Sequence, residues 1–128
     1  MPEGRSRIAI VGLGNTGQSL GLAIRRGSPR IEIIGHDRER EVAKAAEGAG
    51  AVHRTHWNLI SAVESAGLVI MALPLAEALA TARALQDELP PGTILTDTAA
   101  IKVPLVEWCQ ANLAPTVHYV GGHPLRRP

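Results

Sequence analysis

The chain has 128 residues, of which 45% are hydrophobic and 20% charged, and its 13 basic and 12 acidic side chains nearly balance. This length suits one globular domain, and the lack of a basic excess argues against nucleic acid or an anionic membrane as a partner. The aromatic residues are Trp57, Trp108 and Tyr119 alone, so a base-stacking surface is not expected either.

The cysteine content and the first apolar run indicate in which cellular compartment the protein is found. Cys109 is the single cysteine, which excludes an internal disulfide and fits a reducing environment. The run Ile8–Val11 is too short for a signal-peptide core or a membrane span. We therefore expect a cytoplasmic protein that does not enter a membrane.

Strands and helices are predicted to alternate along the chain. Continuous apolar, β-branched runs predict buried strands, which fall at 7–11, 31–35, 51–53, 68–73, 93–96 and 117–120. Apolar residues at helical spacing lie between them, in segments that include 20–24, 42–49, 58–65, 75–85 and 105–113. This alternation predicts an α/β fold, a doubly wound parallel sheet of about six strands, Rossmann-like, in a single domain over residues 1–128.

A sheet of this kind binds ligands beyond the carboxyl ends of its strands, near the switch in strand order. Gly12, Asp37, Pro74, Asp97 and His123 each fall at or just after a predicted strand end. We therefore expect these residues to share one rim of the sheet.

The loop after the first strand has the spacing of a dinucleotide-binding turn. It has the sequence Gly12-Leu13-Gly14-Asn15-Thr16-Gly17, between a predicted strand and a predicted helix. In such a loop the first glycine permits the tight turn, the second lets a pyrophosphate approach the backbone, and the third allows close helix–strand packing. The helix N-terminus adds free N–H groups and the positive end of its dipole.

An acidic residue stands where a ribose-binding carboxylate is expected. Asp37 follows Gly17 by twenty residues and closes the second predicted strand, the position from which a carboxylate binds ribose hydroxyls. Asp37 favours NAD because it would repel the 2′-phosphate of NADP. The adjacent Arg38 leaves NADP open, since an arginine can accommodate that phosphate. A solvated surface pair is the alternative interpretation of the two side chains.

Two further motifs lie downstream. The segment Thr96-Asp97 is followed by Lys102, and the chain later contains Gly121-Gly122-His123-Pro124. With the glycine loop, these motifs give a chain that resembles the nucleotide-binding half of prephenate and arogenate dehydrogenases. The resemblance spans essentially the whole chain, and the downstream pair is more specific than the glycine loop.

The resemblance implies an NAD(P)-dependent oxidoreductase of tyrosine biosynthesis. In that family the ring alcohol of prephenate or arogenate is oxidised with loss of CO2, and the histidine of G-G-H-P takes part in removing the hydroxyl proton. That position matches His123, whose imidazole has a pKa suited to this step. Leu73, Pro74 and Asp97, at the ends of two strands, are expected to contact the cofactor. A structural histidine at a strand end is the alternative for His123.

The chain departs from the family pattern at two places. Ala100 stands where the family has a serine in the segment after the aspartate, and a methyl group cannot donate a hydrogen bond. The family also continues into a helical dimerisation domain, whereas this chain ends at Arg126-Arg127-Pro128. We therefore expect an incomplete or truncated enzyme that needs a helical partner domain or a homodimer to be active.

Two other functions remain open from the sequence. One is a non-catalytic dinucleotide-binding module or one half of a split enzyme, and the other is a reductase of the same fold acting on imines or hydroxy acids. G-G-H-P argues against the reductase. His53 and His56 are interpreted as structural or solvent-facing rather than as metal ligands, Cys109 as a buried thiol, and Trp57 and Trp108 as packing residues.

Overall fold

The computed structural model describes residues 6–100 and 103–122. Within these ranges the strands are β1 (Arg7–Val11), β2 (Glu32–His36), β3 (Arg54–Thr55), β4 (Leu68–Met71), β5 (Ile94–Asp97) and β6 (His118–Gly121). The helices are α1 (Asn15–Gly27), α2 (Arg40–Gly48), α3 (Leu59–Val63), α4 (Leu75–Leu85) and α5 (Val103–Asn112).

All six strands pair in parallel in the order β3-β2-β1-β4-β5-β6. This is the strand order of a doubly wound dinucleotide-binding sheet, in which two βαβαβ halves meet at the first strand. The predicted fold class is therefore confirmed. The strand order reverses between β1 and β4, which places the ligand crevice at that point.

The sheet is covered on both faces because neighbouring residues of a strand point to opposite sides. Ala9 and Val11 of β1 belong to one buried cluster with residues of α4 and α5. Ile8 and Ile10 belong to a second cluster with residues of α2. Both faces of β1 are thus removed from water, which explains its unbroken apolar sequence.

The strand register aligns the carboxyl ends along one rim. Val11 of β1 lies opposite His36 of β2 and Met71 of β4. Met71 in turn lies opposite Asp97 of β5, which lies opposite Gly121 of β6. The loops that follow these five residues therefore all start at the same edge of the sheet.

The predicted third strand at 51–53 is wrong, since β3 is Arg54–Thr55. Ala51 and Val52 are apolar because they are buried in the cluster beside α2, before the strand begins. His53 links this segment to β2 through its backbone N–H, which donates to the Ile33 carbonyl oxygen, and its Nδ1, which accepts from the Ile33 N–H at 2.9 Å. Its imidazole therefore performs the structural role that was preferred over metal binding.

The bounds of β1 match the prediction, and those of β2, β4, β5 and β6 differ from it by at most two residues. Asp97 is the last residue of β5 instead of the residue after it. The prediction that Trp57 packs is wrong because 87% of its surface is exposed, whereas Trp108 packs against the core as expected. Among the described residues, no helix has the length and apolar character needed to cross a membrane.

Candidate nucleotide-binding site

Two of the three loop glycines are required by the backbone itself. Gly12 has φ +96°, and a Cβ built there would lie 2.5 Å from the Ala72 carbonyl oxygen. A Cβ on Gly17 would lie 1.9 Å from the Gly12 carbonyl oxygen. Any larger residue at either position forces the turn between β1 and α1 to open.

Gly14 is different because nothing in the protein fills the space around it. A Cβ on Gly14 would meet no atom within 4 Å, and Gly14, Asn15 and Thr16 are all exposed. Gly14 is the N-cap of the 13-residue helix α1 and provides no side-chain cap. The first N–H groups of α1 have no carbonyl partners within the helix, so this surface can accept an anion at close range.

Asp37 supports the loop from the neighbouring strand. Its Oδ2 accepts the Leu13 N–H at 2.9 Å, and its Oδ1 accepts the Glu39 N–H at 2.8 Å. The side chain of Leu13 is fully buried, so this residue contributes its backbone to the rim. Asp37 itself is half-buried. Each carboxylate oxygen has more than one lone pair, so both can accept a further hydrogen bond from a ligand hydroxyl.

A cavity of about 300 Å³ lies against part of the expected binding site. It lies between the glycine loop, the end of β2 and one face of α4. Its lining includes five of the predicted cofactor-binding residues, namely Gly12, Gly14, Asp37, Arg38 and Leu73.

Residues that the sequence analysis missed complete this cavity. They are His36, Val42, Leu59 and the α4 residues Glu77, Ala80 and Thr81, together with Val11 and Glu39. Positions 77, 80 and 81 have the i, i+3, i+4 spacing of one helix face. That spacing could have indicated a second, rim-facing side of α4.

Leu73 and Pro74 have separate positions although they are adjacent. Leu73 packs over the glycine loop, where its Cδ2 would lie 2.7 Å from a Cβ on Gly12. Pro74 is the N-cap of α4, and its carbonyl oxygen accepts the Ala78 N–H at 2.8 Å. Pro74 is exposed and is not part of the cavity lining.

Asp97 is buried, whereas Asp37 is half-buried. Asp97 is 1% exposed. Its Oδ1 accepts the Tyr119 hydroxyl at 2.5 Å and its Oδ2 accepts the Ala99 N–H at 2.9 Å. Burial, followed by the hydrogen bond to Asp97 and its charge, raises the pKa of Tyr119 well above the usual range. The phenol therefore stays protonated and acts as the donor.

Cys109 lies beneath this end of the sheet as the predicted buried thiol. Burial, and to a smaller extent the charge of Asp97, raises its pKa to about 11. A thiol with this pKa is not a nucleophile near neutral pH.

The predicted catalytic residue His123 lies outside the described residues, as do Lys102, Arg126 and Arg127. Ala100, at the position of the family serine, is described and exposed. Within 6–100 and 103–122, no group of three or more His, Cys, Asp or Glu side chains is arranged to hold a metal ion.

Known proteins similar to this chain include dehydrogenases. The prephenate dehydrogenase of Lactococcus lactis is 32% identical over 121 residues, which cover 93% of this chain and 34% of that protein. The arogenate dehydrogenase structure from Synechocystis superposes with a TM-score of 0.82 at 28% identity, over 92% of this chain and 40% of that one.

A prephenate dehydrogenase from A. aeolicus, solved with hydroxyphenyl propionate and NAD+, gives a TM-score of 0.84 at 25% identity, over 94% of this chain and 42% of that one. The chain spans about a third of the length of the Lactococcus lactis prephenate dehydrogenase. The family described as the prephenate dehydrogenase nucleotide-binding domain matches residues 20–127. The match covers most of the chain, so the chain belongs to this family.

Proposed function

We propose that this domain binds NAD and forms the cofactor-binding part of a dehydrogenase that oxidatively decarboxylates prephenate or arogenate. The open space at Gly14 is the observation that carries the proposal. It is a place where the backbone of a helix N-terminus is uncovered and where a Cβ would meet no atom of the protein within 4 Å. A pyrophosphate fits this requirement, since it accepts hydrogen bonds from N–H groups and is attracted by the helix dipole.

The residues around the cavity fit a dinucleotide at its adenosine end. Asp37 would accept the ribose hydroxyls with the lone pairs left after its two backbone contacts. Val42, Leu59 and Leu73 offer apolar surface for the base. Gly12, Leu13, Asn15, Thr16 and Gly17 would form the loop that holds the pyrophosphate.

NAD is preferred over NADP because of the charge at Asp37. Its carboxylate is held by two N–H donors that also fix its orientation. A 2′-phosphate would have to displace or approach this charge. Arg38 lines the same cavity and is exposed, so it reduces the repulsion without removing it.

The chemistry divides between cofactor and protein. When bound, a nicotinamide accepts the hydride from the substrate's ring alcohol. His123 would accept the hydroxyl proton, so that the alcohol carbon becomes a carbonyl and the loss of CO2 yields the aromatic ring. The residues that bind the substrate carboxylates are assigned to a helical domain of the kind found in the family, and the partner is that domain or a second copy of the chain.

Ala100 favours a second candidate, a dinucleotide-binding module without turnover. It cannot supply the hydrogen bond that the family serine provides beside the substrate. The two candidates agree on cofactor binding and differ on chemistry.

Calorimetric titration tests the binding half of the proposal. We expect NAD+ to bind more tightly than NADP+, and Gly14→Ala to lose at least about tenfold in affinity for either cofactor because its methyl group occupies the pyrophosphate space. Gly27→Ala is a matched control, since that glycine also has open space around its Cβ position but closes the opposite end of α1. Absence of binding by the unchanged chain refutes the proposal.

Turnover distinguishes the two candidates. Prephenate or arogenate is supplied with NAD+ and a helical domain of the kind found in the family, and reduced nicotinamide is followed by its absorbance. Ala100→Ser is then compared with the unchanged chain. An increase in turnover at unchanged cofactor affinity supports the dehydrogenase, whereas cofactor binding without turnover in both proteins supports the module.

A further inference from the structure

The carboxyl ends of β4, β5 and β6 are joined at Asp97. The backbone N–H of Thr98 donates to the Met71 carbonyl oxygen at the end of β4. A Cβ on Gly122, just after β6, would lie 2.9 Å from the Asp97 carbonyl oxygen. Three segments of the rim therefore meet around one residue, and small movements of Asp97 would be transmitted to all of them.

Tyr119 holds the Asp97 side chain from the neighbouring strand. Tyr119 lies opposite Leu95 in the β5–β6 pairing, so its hydroxyl reaches diagonally to Asp97 at 2.5 Å. The second oxygen of the same carboxylate accepts the Ala99 N–H at 2.9 Å. The carboxylate thus connects a strand to the loop that follows β5.

This connection lies in the second half of the dinucleotide crevice. In a doubly wound sheet each βαβαβ half receives one nucleotide. The cavity beside Asp37 belongs to the β1–β2 half, which leaves the rim of β4, β5 and β6 for the other nucleotide. None of the residues lining the Asp37 cavity is in the Asp97–Tyr119 group.

We propose that Tyr119 is a positioning residue, which through Asp97 fixes the 98–100 loop at the nicotinamide end of the crevice. This inference rests on the proposed function. The tyrosine acts by orienting the carboxylate, and the carboxylate fixes the loop through the Ala99 N–H. Neither side chain needs to touch the cofactor.

The phenol is suited to this task because its raised pKa keeps it protonated, and therefore a donor, near neutral pH. Asp97 is almost fully buried, and burying a polar group is costly unless hydrogen-bond donors surround it. Without the Tyr119 hydroxyl, Asp97 loses one donor to its Oδ1, and the carboxylate holds the Ala99 N–H less firmly.

Tyr119→Phe tests the inference because it removes only the hydroxyl. The affinities for NAD+ and for ADP-ribose, which lacks nicotinamide, are measured by calorimetry on the same protein. We expect Tyr119→Phe to weaken NAD+ about tenfold, the effect of one misplaced hydrogen bond, and to change ADP-ribose less than about twofold.

Thr93→Val is the matched control. Thr93 is also buried, and its hydroxyl donates to the Pro90 carbonyl oxygen at 2.7 Å, but it precedes β5 at the opposite end of the strand. The Thr93→Val variant should have a lower thermal unfolding midpoint and an unchanged ratio of the affinities for NAD+ and ADP-ribose. A purely structural role for Tyr119 predicts the same behaviour in Tyr119→Phe.

Each outcome of the Tyr119→Phe titrations either supports or overturns the positioning role of Tyr119. An unchanged NAD+ to ADP-ribose ratio in Tyr119→Phe overturns the inference and leaves the proposed function standing. If the unchanged chain binds neither ligand, the proposed function fails first and the inference fails with it. Amide hydrogen exchange provides a ligand-free measurement, in which the Ala99 N–H should exchange about tenfold faster in Tyr119→Phe; equal rates contradict the link between the hydroxyl and the loop.

Discussion

Asp37 and Asp97 occupy similar places in the sheet and have different surroundings. Asp37 follows β2, is half-buried and lines a cavity. Asp97 ends β5, is 1% exposed and accepts hydrogen bonds from Tyr119 and Ala99. Both were predicted to contact the cofactor, Asp37 from its spacing after the glycine loop and Asp97 from its place at a strand end.

The difference shows that a carboxylate at a strand end has two separate uses. At Asp37 the donors are backbone N–H groups of adjacent loops, and the oxygens still face a space large enough for a ligand. At Asp97 a side chain from the next strand closes over the carboxylate. The β1–β2 half of the rim is therefore ready for a ligand, whereas the β5–β6 half is organised around its own side chains.

The largest expected effect in the β1–β2 half comes from Gly17→Ala. Its Cβ would lie 1.9 Å from the Gly12 carbonyl oxygen, so the variant should lose about 3 kcal/mol of unfolding free energy through overpacking. Gly14→Ala, with no atom within 4 Å of its Cβ, should unfold like the unchanged chain in urea. Equal losses in the two variants would contradict the division of the loop into structural and ligand-facing glycines.

Asp97→Asn should cost more stability than Asp37→Asn. The amide leaves one of the donors around Asp97 without an acceptor inside the protein, a loss of about 2 kcal/mol. At Asp37 water can replace the lost acceptor, so we expect about 0.5 kcal/mol. Urea unfolding of both variants checks the difference, and a reversed order would show that Asp97 is the more weakly held carboxylate.

A third prediction concerns Cys109 beneath the β5–β6 half. Its pKa is raised from 9.0 to about 11, which lowers the thiolate fraction about 100-fold near neutral pH. Alkylation by iodoacetamide should therefore be at least about 100-fold slower in the folded chain than in urea. The folded-state rate should keep rising as the pH approaches 11 because the thiol remains protonated below its pKa. A folded-state rate that levels off near pH 9 would refute the raised pKa.

Most of the fold could be predicted from sequence because its strands are short buried apolar runs between helical segments. Residues 7–11 were assigned to β1 without error, since an unbroken β-branched run in a parallel sheet has few alternatives. The assignment failed at 51–53, where burial of Ala51 and Val52 beside α2 produces the same apolar signal as a strand. Sequence periodicity does not separate these two causes of burial.

The sequence predicts candidate site residues where they are close in the chain, and it misses those that distant segments bring together. The spacing of the sequence is enough to predict that Gly12–Gly17 and Asp37 belong to the candidate site. The pairing of Tyr119 with Asp97 depends on the register of β5 against β6, which sets a diagonal contact between residues 22 positions apart. Glu77, Ala80 and Thr81 line the cavity only because α4 is turned towards the rim.

Titration of ADP-ribose into Asp37→Asn and Asp97→Asn tests the central claim most directly. Asp37→Asn should bind about tenfold to 100-fold more weakly, because the charged acceptor for the ribose hydroxyls is lost. Asp97→Asn should bind within about twofold of the unchanged chain, since its carboxylate serves the protein. Undiminished affinity in Asp37→Asn, or a larger loss in Asp97→Asn, would contradict the assignment of the ligand-facing carboxylate to β2.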